Sequence, residues 1–135
     1  MDRRTFLAAL GTGATAALAG CGTSLADSDY DVEMTANRFR PAEITVSVGE
    51  TVTWGNPGSR GHSVTAYGGQ IPEDADYWAS GGLGSESDAR ARYPQEGHVA
   101  SGETYSHTFE VAGDHEYFCI PHERGGMVGT VVVEE

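Results

Sequence analysis

From residue 31 onward, apolar and polar positions alternate with a period of two along most of the chain. Val32, Met34 and Ala36 stand between polar neighbours, as do Ile44, Val46 and Val48, and the pattern resumes at Val52 and Trp54. Alternation of this kind marks strands that turn one face to a core, and Gly49-Glu50 between the second and third runs marks a tight turn. Pro41 breaks the chain ahead of the second strand. His62, Val64 and Ala66 alternate again until Tyr67-Gly68-Gly69. The pattern returns at Tyr105, His107, Phe109 and Val111. After a turn at Gly113-Asp114, His115, Tyr117 and Cys119 share one face, and a valine-rich run over 127–133 follows.

No helical period of useful length and no internal repeat is visible. Short strands separated by Gly, Pro and Asn turns predict an all-β fold, an antiparallel sandwich of two sheets. Its expected core comprises Ile44, Val46, Val48, Val52, Trp54, Val64, Phe109, Tyr117 and Val132. The stretch 70–102 departs from the pattern. It mixes Pro72, the acids Glu73, Asp74 and Asp76, the aromatics Tyr77 and Trp78, and Gly81-Gly82, with a short helical turn expected over 87–92. An aperiodic segment this long is either functional or loosely ordered.

The N-terminus follows other rules. Arg3-Arg4 precedes an uncharged Ala- and Gly-rich stretch over 8–20, too short to span a bilayer but of the length of a signal peptide's apolar region. The stretch ends Leu18-Ala19-Gly20-Cys21, which resembles a lipoprotein processing site. Residues 1–20 therefore read as a twin-arginine signal peptide, Cys21 as the lipidated residue, 21–30 as a polar, acidic tether, and 31–135 as one domain with an insertion at about 70–102. Export to the outer face of the cytoplasmic membrane follows from that reading.

The sequence holds two cysteines. If Cys21 carries lipid, Cys119 has no disulfide partner, and an exported lone thiol calls for a chemical reason. The net charge is −12, and all eight basic residues are arginine. The acids are scattered and not gathered in one block, which reads as a solvated surface suited to high salt, where repulsion is screened over a few ångströms. The sign of the charge argues against nucleic acid as a partner.

The stretch from Tyr117 to Met127 reads Tyr-Phe-Cys-Ile-Pro-His-Glu-Arg-Gly-Gly-Met. It offers Cys119, His122 and Met127 with two and then four residues between them. A thiolate, an imidazole and a thioether form a soft donor set that suits copper better than magnesium or calcium. The best fourth donor is His62, at the head of a strand after the turn Asn56-Pro57-Gly58-Ser59-Arg60-Gly61. Two imidazoles, a thiolate and a weak thioether describe a mononuclear electron-transfer copper site. Structural zinc would want further Cys or His donors; a catalytic cluster of several coppers would need His-x-His pairs, which are absent. A Cys–His nucleophilic pair would leave the methionine idle. His98, His107 and His115 share no ligand-like spacing and read as a loop residue and two strand residues.

The loop Cys119-x2-His122-x4-Met127 resembles that of the plastocyanins and their relatives, the blue copper proteins of the cupredoxin family. The run from Asn37 to Ile44, with Val46, Gly49-Glu50, Val52, Trp54 and Asn56, resembles the first half of that family. The likeness is closest to the halocyanins, lipid-anchored members from extreme halophiles. It covers about residues 31–135 and is weakest over 70–102. It implies a Greek-key sandwich of seven or eight strands, with His62, Cys119, His122 and Met127 as ligands of one copper ion. It also implies a monomeric electron shuttle, not an enzyme, working between membrane-bound respiratory redox proteins. One departure is Ser63, where many relatives carry Asn. That Asn ties the two ligand loops together, so the tuning of the thiolate is expected to differ here. Electron entry is expected at the edge of His122, with Ile120, Pro121 and Met127 as an apolar rim and Phe118 as a second route. A copper-delivery module is the alternative, although it would call for a more open site.

Overall fold

The structure is a computed structural model and describes residues 29–135. Eight strands form two four-stranded sheets. They are β1 (Val32–Met34), β2 (Phe39–Arg40), β3 (Glu43–Ser47), β4 (Thr51–Gly55), β5 (Thr65–Ala66), β6 (Thr104–Thr108), β7 (Gly113–Phe118) and β8 (Val128–Glu134). One sheet has the order β2-β1-β4-β6 and the other β3-β8-β7-β5. The signal-peptide, lipidation and tether readings fall on residues 1–30 and so lie almost wholly outside the described part.

The pairing is mixed, where short strands joined by turns predict an antiparallel sandwich. β1 runs parallel to β4 and β3 runs parallel to β8, while the other four pairs are antiparallel. The chain changes sheet between β2 and β3 and again between β3 and β4, and each change returns a strand beside a non-consecutive one. Side-chain alternation is identical in both pairing modes, so it carries no information about this choice.

The two sheets close over a core that includes Val32, Met34, Phe39, Val46, Val52, Trp54, Val64, Phe109, Tyr117, Val131 and Val133. Trp54 lies at its centre, with ring centroids 5.3 Å from Tyr117, 5.6 Å from both Trp78 and Tyr105, and 6.3 Å from Phe109. Two expected core residues are misplaced. Val48 lies past the end of β3 in the turn and is 40% exposed. In β8 the inward residues are Gly129, Val131 and Val133, and Val132 is only half-buried. Three consecutive valines have no alternation of their own. The partner strand sets the parity, because the buried Tyr117 and His115 of β7 stand opposite Gly129 and Val131. Gly129 is the residue that fits there, since a Cβ would come within 2.6 Å of the Tyr117 ring.

The segment 70–102 is ordered and contributes to the core. Trp78 is buried and stacks against Trp54. Ser80 exchanges hydrogen bonds with Val64, its N–H donating to the Val64 carbonyl (2.7 Å) and its hydroxyl accepting from the Val64 N–H (3.1 Å). The helix α1 (Glu86–Arg92) begins at Ser85, whose hydroxyl accepts from the Asp88 N–H at 3.1 Å. Glu86 and Asp88 occupy its first turn and Arg90 and Arg92 its last, matching the helix dipole at both ends.

Candidate metal centre

Three side chains, two of them neighbours in sequence and the third 57 positions from Cys119, meet at one end of the sandwich. Cys119 follows directly on β7 and is fully buried. His62 is held ahead of β5 by paired backbone hydrogen bonds with Val99, 2.7 and 3.1 Å long. His122 rides on a 3-10 turn, Ile120–Gly125, that leaves β7 and returns into β8. Gly126 ends that turn at φ 93°, a left-handed conformation that favours glycine, and its N–H donates to Glu123 and His122 carbonyls.

The Nδ1 atoms of His62 and of His122 each lie 3.5 Å from the Cys119 sulfur. The three donor atoms fall within 4.8 Å of one another, and among the described residues no other group of three His, Cys or acidic donors comes so close. Met127 is fully buried in the same core cluster as Cys119. Its carbonyl accepts from the Cys119 N–H at 3.0 Å, and its N–H donates to the His122 carbonyl at 3.2 Å. The backbone thus ties the three loop residues to one another. A thiol and two imidazole nitrogens converge here, and with the thioether of the adjoining loop residue Met127 they would form a soft set that fits copper.

Ser63 performs the tie that the resemblance leads one to expect of an Asn. Its backbone N–H points at the Cys119 sulfur at 3.4 Å, and its hydroxyl accepts from the Ile120 N–H at 2.9 Å while pairing with the Thr65 hydroxyl at 2.9 Å. The two ligand-bearing segments are therefore joined across the thiol by one short side chain.

Three titrating groups are displaced by this setting, among them His122, which burial and then Arg60 lower. Burial, opposed by the hydrogen bonds from Ser63, pushes the Cys119 thiol up to about 11. At neutral pH it is a thiol, and it gives up a proton to act as a ligand. Burial, reinforced by His122 and Arg60, lowers His62 from 6.5 to about 4, so its imidazole is neutral and its lone pair free. A depressed histidine contributes stability above its unfolded value, and that contribution is lost as the pH falls through the folded value. The metal-free protein should therefore be less stable at pH 4 than at pH 7 by on the order of 3 kcal/mol from His62 alone. Urea denaturation across that interval checks this, and a flat profile would contradict it.

The remaining histidines are structural. His115 is buried, accepting at Nδ1 from the Trp78 indole N–H (3.2 Å) and pairing at Nε2 with the Val111 carbonyl (3.1 Å). His107 stacks on Trp78 at 5.3 Å, and His98 meets the Tyr93 ring edge-on. Two expectations about the surface need correcting. Met127 is fully buried and so is no part of an apolar rim, leaving exposed Pro121 and half-buried Ile120 beside half-buried His122. Phe118 does point away from the centre, but it is fully buried under Tyr67 and Arg90 and offers no direct contact to a partner. Sequence reasoning also missed Val99, whose backbone holds His62; nothing in its aperiodic surroundings signals that role.

Residues 26–134 match the family model for copper-binding proteins of the plastocyanin/azurin family. This chain belongs to that family. It is 32% identical to a chloroplastic plastocyanin of Tetradesmus obliquus over 122 residues, covering 87% of this chain and 76% of the relative. It is 34% identical to a plastocyanin of Scenedesmus fuscus, over 71% of this chain and 86% of the relative. Among solved structures it is similar to amicyanin of Paracoccus versutus, with a TM-score of 0.55, 30% identity, and 76% and 78% of the two chains covered. A reduced Cu(I) form of an amicyanin variant superposes with a TM-score of 0.57 at 32% identity, over 82% of this chain and 86% of that one. The cupredoxin-like fold and the copper cofactor expected from the sequence are both supported by these matches.

Proposed function

We propose that this protein is a one-electron carrier whose copper is held by His62, Cys119, His122 and Met127. The observation that carries the reading is the convergence of two imidazole Nδ1 atoms on one buried thiol, each at 3.5 Å. Copper bound there supplies a Cu(I)/Cu(II) couple at an accessible potential. The protein's part is to keep the donors in place in both oxidation states. Cys119 and Met127 are fully buried, and Ser63 and the backbone bonds around Met127 restrain the loop. His122 is half-buried between exposed Pro121 and half-buried Glu123, and its solvent-accessible part is where a partner would gain close approach. Small, briefly occupied contacts of this kind suit a shuttle.

The wider setting rests on the N-terminal motif and the charge. Arg3-Arg4 and Leu18-Ala19-Gly20-Cys21 support export and lipid anchoring through Cys21. The scattered acidic surface suits high salt, as in a halocyanin-like carrier serving membrane-bound respiratory donors and acceptors. Mass spectrometry of the mature N-terminus tests the anchor, and an unmodified Cys21 would remove it.

The carrier role is tested by adding Cu(II) to the purified protein and recording visible and paramagnetic resonance spectra and a voltammogram. An intense blue thiolate-to-copper band with a reversible one-electron wave is expected. A colourless complex that surrenders its copper to a weak chelator would replace the carrier reading with one of copper delivery.

A further inference from the structure

The turn that carries His122 is poorly anchored by the core. None of the residues in Ile120–Gly125 is buried, and the turn ends on the pair Gly125-Gly126. Besides the Ser63 hydroxyl on the Ile120 N–H, what holds it from outside is a cluster centred on Arg90, a residue of the 70–102 segment. The Arg90 guanidinium grips the Glu123 carboxylate with both terminal nitrogens, Nη1 to Oε1 at 2.9 Å and Nη2 to Oε2 at 3.2 Å. Its Nε donates to Glu86 Oε2 at 2.9 Å, and Glu86 Oε1 in turn accepts from the Gly68 N–H at 2.9 Å. Tyr67 donates its hydroxyl to Glu123 Oε2 at 2.7 Å. The Tyr67 ring stacks on Phe118 at 4.3 Å, and the Arg90 guanidinium also lies 4.3 Å from the Phe118 centroid.

Phe118 is the residue before Cys119, and Glu123 is the residue after His122. One side chain therefore touches both flanks of the segment that delivers two of the donors. An isolated surface ion pair would hold little, but a two-pronged arginine–carboxylate contact within a network, laid against an aromatic ring, is the arrangement in which such pairs do contribute.

We propose that Arg90 is a positioning residue for the metal loop, fixing His122 relative to Cys119 from the inserted segment. The inference rests on the ligand set proposed above, and it gives the 70–102 segment a second role at the metal centre beside that of Val99.

The test uses the full chain with Arg90→Gln, Arg90→Lys, Glu123→Gln and the double variant Arg90→Gln/Glu123→Gln. In the metal-free protein, hydrogen exchange is read at the His122, Gly126 and Met127 amides, which all donate within the loop. Arg90→Gln and Glu123→Gln should each accelerate exchange there by about tenfold, as expected for losing a network contact of this type, with β3 and β8 amides unchanged. The double variant should add little to either single one, and Arg90→Lys, which keeps the charge but not the fork, should recover part of the protection. In the copper-loaded protein, Arg90→Gln should shift the midpoint potential, with Arg90→Lys shifted less. Unchanged exchange over 119–127, equal acceleration across both sheets, additive effects, or an unmoved potential would each overturn the proposal. If the wild type binds no copper while the exchange pattern holds, the ligand assignment fails and the brace stands.

Discussion

Cys119→Ser should abolish the intense visible band of the copper-loaded protein and weaken copper binding by about a thousandfold, an order of magnitude beyond the 10–100-fold carried by outer-sphere partners of a metal site. The hydroxyl does not ionise in this environment, so the site loses its only anionic soft donor, and His62, His122 and Met127 remain as neutral ligands. The sandwich itself should persist. The added polarity is met by the Ser63 N–H that now points at the sulfur at 3.4 Å, which confines the expected loss of metal-free stability to about 1–3 kcal/mol. Equilibrium dialysis with the visible spectrum reads the first effect, and urea denaturation of the metal-free protein reads the second. A variant that stays blue, or that unfolds outright, would contradict the assignment.

Trp54→Ala should be the most damaging single change to the fold. Trp54 is fully buried against four aromatic rings drawn from β6, β7 and the segments flanking them. Truncating a side chain in such a position costs about 3–5 kcal/mol, through lost transfer free energy and a cavity its rigid neighbours cannot fill. Against a total stability of about 5–15 kcal/mol, this should lower Tm by roughly 15 °C. Trp54→Phe, which keeps a ring in contact with Tyr117, should lose less than half as much. Val48→Ala, at an exposed site, should stay within about 0.5 kcal/mol of the wild type. Calorimetry at matched salt separates the three, and equal losses at Trp54 and Val48 would refute this account of the core.

How much of this was legible beforehand follows from what kind of signal each feature leaves. The inward faces of β1, β4 and β7 announce themselves because a polar residue separates each apolar one. The metal loop is equally plain, since Cys119, His122 and Met127 lie within nine residues and their donor chemistry narrows the ion. β8 was readable as a strand but not in its parity, because Val131, Val132 and Val133 present the same chemistry to both faces. Parallel pairing was invisible for a similar reason, being a property of chain path and not of side-chain order. The largest gap was 70–102. Trp78 enters the core, Val99 fixes His62 and Arg90 reaches Glu123, yet each acts singly through a long-range contact, with no neighbour repeating its pattern. Ser63 stood between these cases: the sequence showed the departure, and only the geometry showed its hydroxyl receiving the Ile120 N–H.

The position of β8 within its sheet constrains when this molecule can become itself. It lies between β3 and β7, parallel to one and antiparallel to the other, so before residues 128–134 dock, both neighbours expose an open edge. The 119–127 turn closes between β7 and β8, so the same strand also fixes where it returns. Assembly of the second sheet and assembly of the donor cluster are thus coupled through one strand. A partly synthesised or truncated chain would present sticky edges and a dispersed set of ligands, and neither defect could be repaired without the other.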